Sequence, residues 1–176
     1  MVFSPYKFRK SLIISGSVLL FSSLLTSCGT DECYDNRNSI PLAALYSSGP
    51  QMQQISIDSI SVWGIGVPND SMIMNVERNV KQINFPFRID ENESSFVIRY
   101  DALKQQFPGA PDDTLSFNYE PVPVFESASC GVFYRFDNVR VSYTHHVIDS
   151  VACPLGYIDN APQTNLQIFF HTQSPE

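Results

Sequence analysis

Leu115, Phe117 and Tyr119 alternate with Thr114, Ser116 and Asn118, and this strict period of two constrains the fold more than any other feature. Successive side chains of a strand point to opposite faces, so the segment reads as a β-strand with one apolar and one polar side. The same period recurs along the chain. Ile83, Phe85 and Phe87 alternate, as do Phe96, Ile98 and Tyr100, with Asp90-Glu91-Asn92-Glu93 between them as an acidic tip; together they read as a β-hairpin. Val132, Tyr134 and Phe136 start another strand, continued by Val139, Val141 and Tyr143 past a turn or bulge at Asp137-Asn138. Val147 to Val151 follows, and Leu166, Ile168 and Phe170 close the series.

Earlier in the chain, Ile40 to Tyr46 reads as a first strand. Ile55 and Ile57 share one parity and Ile60 and Val62 the other, so the strand is bulged or bent near Asp58-Ser59. Pro121 and Pro123 force their stretch onto an edge or out of a sheet. Asp101 fits as the cap of a short helix through Leu103 to Phe107, ended by Pro108-Gly109. Some eight short strands with at most one short helix imply an all-β antiparallel two-sheet sandwich, immunoglobulin-like or transthyretin-like, with a small closed barrel as the alternative. Leu115, Phe117, Tyr119, Val132, Tyr134, Phe136, Leu166, Ile168 and Phe170 are the expected core.

The N-terminus carries a different signal. Lys7, Arg9 and Lys10 precede an apolar run from Leu12 to Leu25, and Leu25-Thr26-Ser27-Cys28 ends it in the pattern of a bacterial lipoprotein cleavage site. An ordinary secretory leader is the plainer alternative. On the lipoprotein reading, residues 1–27 are a signal peptide outside the fold, 28–39 an acylated cysteine and tether, and 40–176 a single sandwich domain. The thiol of Cys28 takes a diacylglyceryl group and its freed amino group a further chain. Two or more chains anchor stably at about 0.8 kcal/mol per buried CH2, where one chain is reversible.

Removing 27 residues from 176 leaves 149, enough for one domain with a core and short for two. The leader takes three basic residues with it, moving the formal charge from −7 to −10. Such an acidic chain repels nucleic acid and anionic headgroups, so neither is an expected partner. Its expected place is the outer membrane, lipid-anchored on the periplasmic or the cell-surface face. Asp31-Glu32, close after Cys28, is similar to the acidic export signal of surface lipoproteins in Bacteroides-like bacteria; a solvated tether has the same composition.

With Cys28 acylated, Cys33, Cys130 and Cys153 remain. Three thiols in an oxidising compartment permit one bridge and one leftover, and the sequence does not choose among the three pairings. A wider resemblance bears on this. The lipobox, Cys33, Val62-Trp63-Gly64-Ile65-Gly66, the strand Asp113 to Tyr119, Cys130-Gly131 and the last strand near Phe170 resemble, in their order, an uncharacterised lipoprotein family of Bacteroides-like gut bacteria, a domain of unknown function. The resemblance implies a Cys33–Cys130 bridge and no activity; Cys153 is outside its pattern and is expected as a free, inert thiol.

Enzyme chemistry is thinly represented. His145 and Asp149 share one strand face, with His146 and Ser150 adjacent, but Ser150 has the opposite parity and no oxyanion loop accompanies it. A metal site there needs His171 or Cys153 as a further ligand. Structural or surface histidines are the plainer reading, and no catalytic residue, metal or cofactor is assigned. Asp90-Glu91-Asn92-Glu93 and Asp112-Asp113 lack the spaced ligands of a calcium loop and read as solvated turns. Trp63 alone is no sugar platform. Asp58-Ser59-Ile60, Asp70-Ser71-Met72, Asp113-Thr114-Leu115 and Asp149-Ser150-Val151 resemble the O-glycosylation signal of exported proteins in such bacteria, making Ser59, Ser71, Thr114 and Ser150 candidate sites, although an Asp leading into a strand creates the same triplet.

The expected function is a non-catalytic cell-envelope lipoprotein, structural or binding, with an envelope protein or glycan as partner. The alternatives are an envelope hydrolase or metal-dependent enzyme using His145, His146 and Asp149, and a pilus-type subunit that exchanges an edge strand.

Overall fold

A computed structural model describes residues 33–36, 38–67 and 71–171. The leader, Cys28, Asp31 and Glu32 lie outside the described residues. Those described form nine strands and one short helix: β1 (Leu42–Ser47), β2 (Ile60–Ile65), β3 (Met72–Glu77), β4 (Gln82–Asn84), β5 (Glu93–Tyr100), α1 (Asp101–Gln106), β6 (Asp113–Ser127), β7 (Gly131–Tyr143), β8 (Ile148–Ala152) and β9 (Leu166–Phe170). They make two sheets, ordered β4-β1-β9-β8 and β3-β2-β5-β6-β7. Pairing is antiparallel except for β1 with β9, which run parallel. Among the described residues no helix is long and apolar enough to cross a membrane.

Period-two alternation builds the core where two sheets face each other. Phe96, Ile98 and Tyr100 of β5 and Leu115, Phe117 and Tyr119 of β6 all point inward, meeting Leu45, Leu166, Ile168 and Phe170 of the other sheet in one cluster. Aromatic rings fill the middle. Phe87 stacks on Tyr119 at 4.6 Å, and Phe136 meets Tyr119 edge-on at 4.9 Å, geometries that favour the ring quadrupoles.

The expected hairpin from Ile83 to Tyr100 does not form. β4 pairs with β1 in one sheet, and β5 pairs with β2 and β6 in the other. Phe85 and Phe87 are buried as their alternation requires, but the intervening segment arches across the sandwich. Tyr119 secures that arch: its hydroxyl accepts from Arg88 N and donates to Arg88 O, both at 2.9 Å, and lies 2.6 Å from Ser94 Oγ. The chain also crosses between sheets at Ser59, which adopts φ 54°. Before it, Ile57 bridges to Val80; after it, β2 joins the second sheet. The parity change near Asp58-Ser59 is therefore a bend. Asp101 is not the helix cap, because Tyr100 occupies that position; the Asp101 carboxylate accepts from Ser61 Oγ at 2.7 Å instead.

The second half of β6 leaves the sandwich. β5 pairs with β6 only as far as Glu93 with Asn118, whereas β6 and β7 stay paired to Ser127 and Gly131. The result is a two-stranded arm. An irregularity opposite Asn138, at φ 53°, shifts the register between Asn118 and Glu120, as expected for a bulge at Asp137-Asn138. Val132 and Tyr134 precede the bulge and share the parity of Phe136, but they lie on the arm beyond the last β5–β6 pair. Phe133, Phe136 and Val139 are buried, while Val132 is exposed and Tyr134 half-buried, against the expectation for those two.

Pro121 and Pro123 fall in this arm as edge residues. Phe136 N and O bond Ile158, on the side of β7 away from β6, so the Phe136–Pro121 pair is one that exchanges no ladder bonds. By parity Pro123 behaves alike. Both missing donors therefore face the open side of β6.

Residues read as tether join the domain from Cys33 onward. A disulfide links Cys33 to Cys130 across 97 residues, with Cα atoms 5.3 Å apart. Asn36 Oδ1 accepts from Ile40 N at 2.8 Å, and the fully buried Ser39 donates its hydroxyl to Tyr134 O. The N-terminal segment is thus fastened along β7.

Candidate functional site

His146 and His171 come together at one end of the sandwich, where Asp113 controls the local structure. Asp113 opens β6 and is completely buried. Its Oδ1 accepts from Thr144 Oγ1 at 2.7 Å and His146 N at 2.9 Å; its Oδ2 accepts from Tyr100 Oη, Val147 N and Ile148 N at 2.8, 2.8 and 3.0 Å. Burial alone would raise this carboxyl, but the backbone and hydroxyl donors outweigh it and hold it below the ordinary carboxylate range. The Tyr100 phenol is pushed far up by burial and then by the neighbouring Asp113 charge. One carboxylate thereby shapes the β7–β8 turn that carries His145 and His146. Reading Asp112-Asp113 as a solvated turn fails for Asp113; Asp112 is the outward member, 3.1 Å from Lys104 Nζ.

Beside this turn lies a cleft of about 400 Å³, walled by Ile57, Tyr100, Leu103 and Val147 and edged by Asp58, His146 and His171. His171 Nδ1 is 3.3 Å from Asp149 Oδ1. His145 turns elsewhere, its Nδ1 3.1 Å from Asp149 O and its ring 4.6 Å from that of Tyr143. So His146 and His171 share the cleft, Asp149 orients His171, and His145 stands apart. Ser150 donates to Asp149 Oδ2 at 3.2 Å, not to a histidine, so the hydroxyl, imidazole and carboxylate are not in relay order. Among the described residues no group of three or more His, Cys, Asp or Glu is placed to hold a metal. The cleft is an apolar slot whose lining also brings two imidazoles and a carboxylate together.

The other candidates are dispersed. Cys153 is a free, half-buried thiol packed against the core, its pKa raised by burial. Ser59 is buried and Ser71 exposed, with Thr114 and Ser150 between these extremes. Trp63 lies under the Arg99 guanidinium, 4.7 Å from its ring centre, a cation–π contact that occupies one face. A second concavity of about 400 Å³ opens at the Asn138 bulge between Asn92, Asn118, Glu120 and Arg140. Asn138 Nδ2 donates to Glu120 Oε2 there at 3.0 Å. Only the Asp137-Asn138 pair hinted at it in the sequence.

Residues 59–170 match the model of a family of unknown function, DUF6452. The chain belongs to this family. The DUF6452 match begins at Ser59, where the chain enters the second sheet, and ends with β9. It spans Asp113, the histidine turn and Cys130, and excludes β1, Cys33 and His171. No curated protein and no solved structure matches the chain.

Proposed function

We propose that the protein is a lipid-anchored cell-envelope lipoprotein whose sandwich acts as a non-catalytic binding or structural accessory at the outer membrane. The observation that carries this reading is the Cys33–Cys130 disulfide. Such bonds persist in oxidising compartments and are rare in the cytosol, which accords with the leader-like segment ending at Cys28. The cleft at His146 and His171 supports binding over catalysis, since its walls are mostly apolar and Ser150 is not bonded to an imidazole. An envelope protein or a glycan is the proposed partner. Strand exchange is disfavoured on β6, whose open side presents two prolines.

Production of the full chain in a host that processes lipoproteins tests this. Wild type should partition into the detergent phase as acylated mature protein, and Cys28→Ala should remain an unacylated species in the aqueous phase. Detergent partitioning that is the same for both removes the anchor. Protease treatment of whole cells then assigns the side: if Asp31-Glu32 directs export, Asp31→Ala/Glu32→Ala stays acylated but becomes protected. Equal digestion of both proteins makes the acidic pair plain tether.

A further inference from the structure

The β6–β7 arm ends in an apolar tip. From Phe125 to Val132 the sole charged residue is Glu126, and Phe125 and Val132 face each other in register, 69% and 52% exposed. Directly opposed side chains share one face of a ribbon, so these two form a continuous apolar edge.

The covalent structure indicates what meets that edge. The disulfide fastens Cys33 to Cys130, two residues from Val132. Cys28 precedes Cys33 by five residues, a contour of at most about 18 Å. With the 5.3 Å between the bridged Cα atoms and two residues of strand to Val132, a lipid on Cys28 keeps the tip within about 30 Å of a bilayer. Tyr34, beside Cys33, is also exposed, and tyrosine suits the membrane–water boundary. The tip has no Lys or Arg and the chain is acidic, so the surface it fits is electrically neutral.

We propose that the tip of the β6–β7 arm, Phe125 with Val132, inserts into the interfacial layer of a neutral phospholipid bilayer and fixes the orientation of the domain on the membrane. This rests on the lipid-anchor reading. The opposite end of the same ribbon, where Leu115 pairs with Tyr143, adjoins the histidine cleft. The eleven residue steps from Val132 to Tyr143 cover about 35 Å at the rise of a strand. The cleft is accordingly presented away from the bilayer.

The test uses the full, lipidated chain reconstituted into phosphatidylcholine vesicles with and without brominated acyl chains. Phe125→Trp places a reporter at the tip, Val132→Trp repeats it from the partner strand, and His145→Trp marks the far end; the wild-type signal of Trp63 is subtracted. Tip reporters should be blue-shifted and quenched several-fold by brominated lipid, with the His145→Trp reporter unaffected. Unquenched tip reporters on protein that co-floats with the vesicles overturn the proposal and leave the anchor standing. Equal quenching at both ends overturns the orientation. Failure to float, with Cys28 found unacylated by mass spectrometry, overturns the anchor and this proposal with it.

Discussion

Asp113 is the residue on which the histidine end depends, and nothing local in the sequence marks it. An aspartate ahead of an alternating strand looks like a turn residue; the donors that surround it, Tyr100 and the Thr144 to Ile148 segment, are remote in sequence. Asp113→Ala removes a buried acceptor and strands those donors, so it should destabilise the fold by about 3–5 kcal/mol in urea denaturation. The same carboxylate makes stability pH-dependent. Its folded pKa lies below its unfolded value, so its contribution is present above the ordinary carboxylate range and is lost as pH falls through the depressed folded value. Denaturation midpoints measured from neutral pH downward should show that loss in wild type and less of it in Asp113→Asn. Tyr119→Phe deletes the hydroxyl clamped on Arg88 and should cost about 1–3 kcal/mol by the same measurement. Cys153 is free and half-buried, and Cys153→Ser should shift stability by less than about 1 kcal/mol.

Elements were legible in proportion to how far one pattern governed them. Leu115-Phe117-Tyr119 and Leu166-Ile168-Phe170 are strands whose inward faces follow from alternation alone. Alternation identifies the buried face of a strand but not its partner, which is why Ile83–Phe87 and Phe96–Tyr100, both inward-facing, look like a hairpin and yet belong to opposite sheets. In β7 the bulge is visible in Asp137-Asn138. Phe136, beside it, is buried as alternation requires, but Val132 and Tyr134, of the same parity, lie on the arm beyond the last β5–β6 pair, and alternation does not show where the covering sheet ends. The histidine cleft was partly legible: His146 and His171 converge on it, whereas the equal spacing of His145 and Asp149 does not bring their side chains into one relay. For the arm, opening the disulfide with Cys33→Ser/Cys130→Ser should cost about 4–5 kcal/mol if chain entropy dominates, read from the shift in denaturation midpoint. Giving Pro121 and Pro123 donors by replacement with Thr should promote self-association along the open edge of β6, seen as a rise in scattering mass with concentration.

For the whole molecule, two sheets around an aromatic core and a disulfide to the N-terminal segment are what the proposed account builds on, in which the leader of residues 1–27 is removed and Cys28 holds the sandwich to a membrane. Far-ultraviolet circular dichroism of residues 28–176 should be dominated by strand; a helical spectrum would contradict the fold. The most direct test of the central claim is intact-mass analysis with non-reducing peptide mapping of the full chain recovered from the envelope of a lipoprotein-processing host. The account predicts an N-terminal peptide that begins at Cys28, carries acyl chains and is joined through Cys33 to the peptide containing Cys130, with Cys153 free. A mature N-terminus elsewhere, or Cys28 present without lipid, would contradict it.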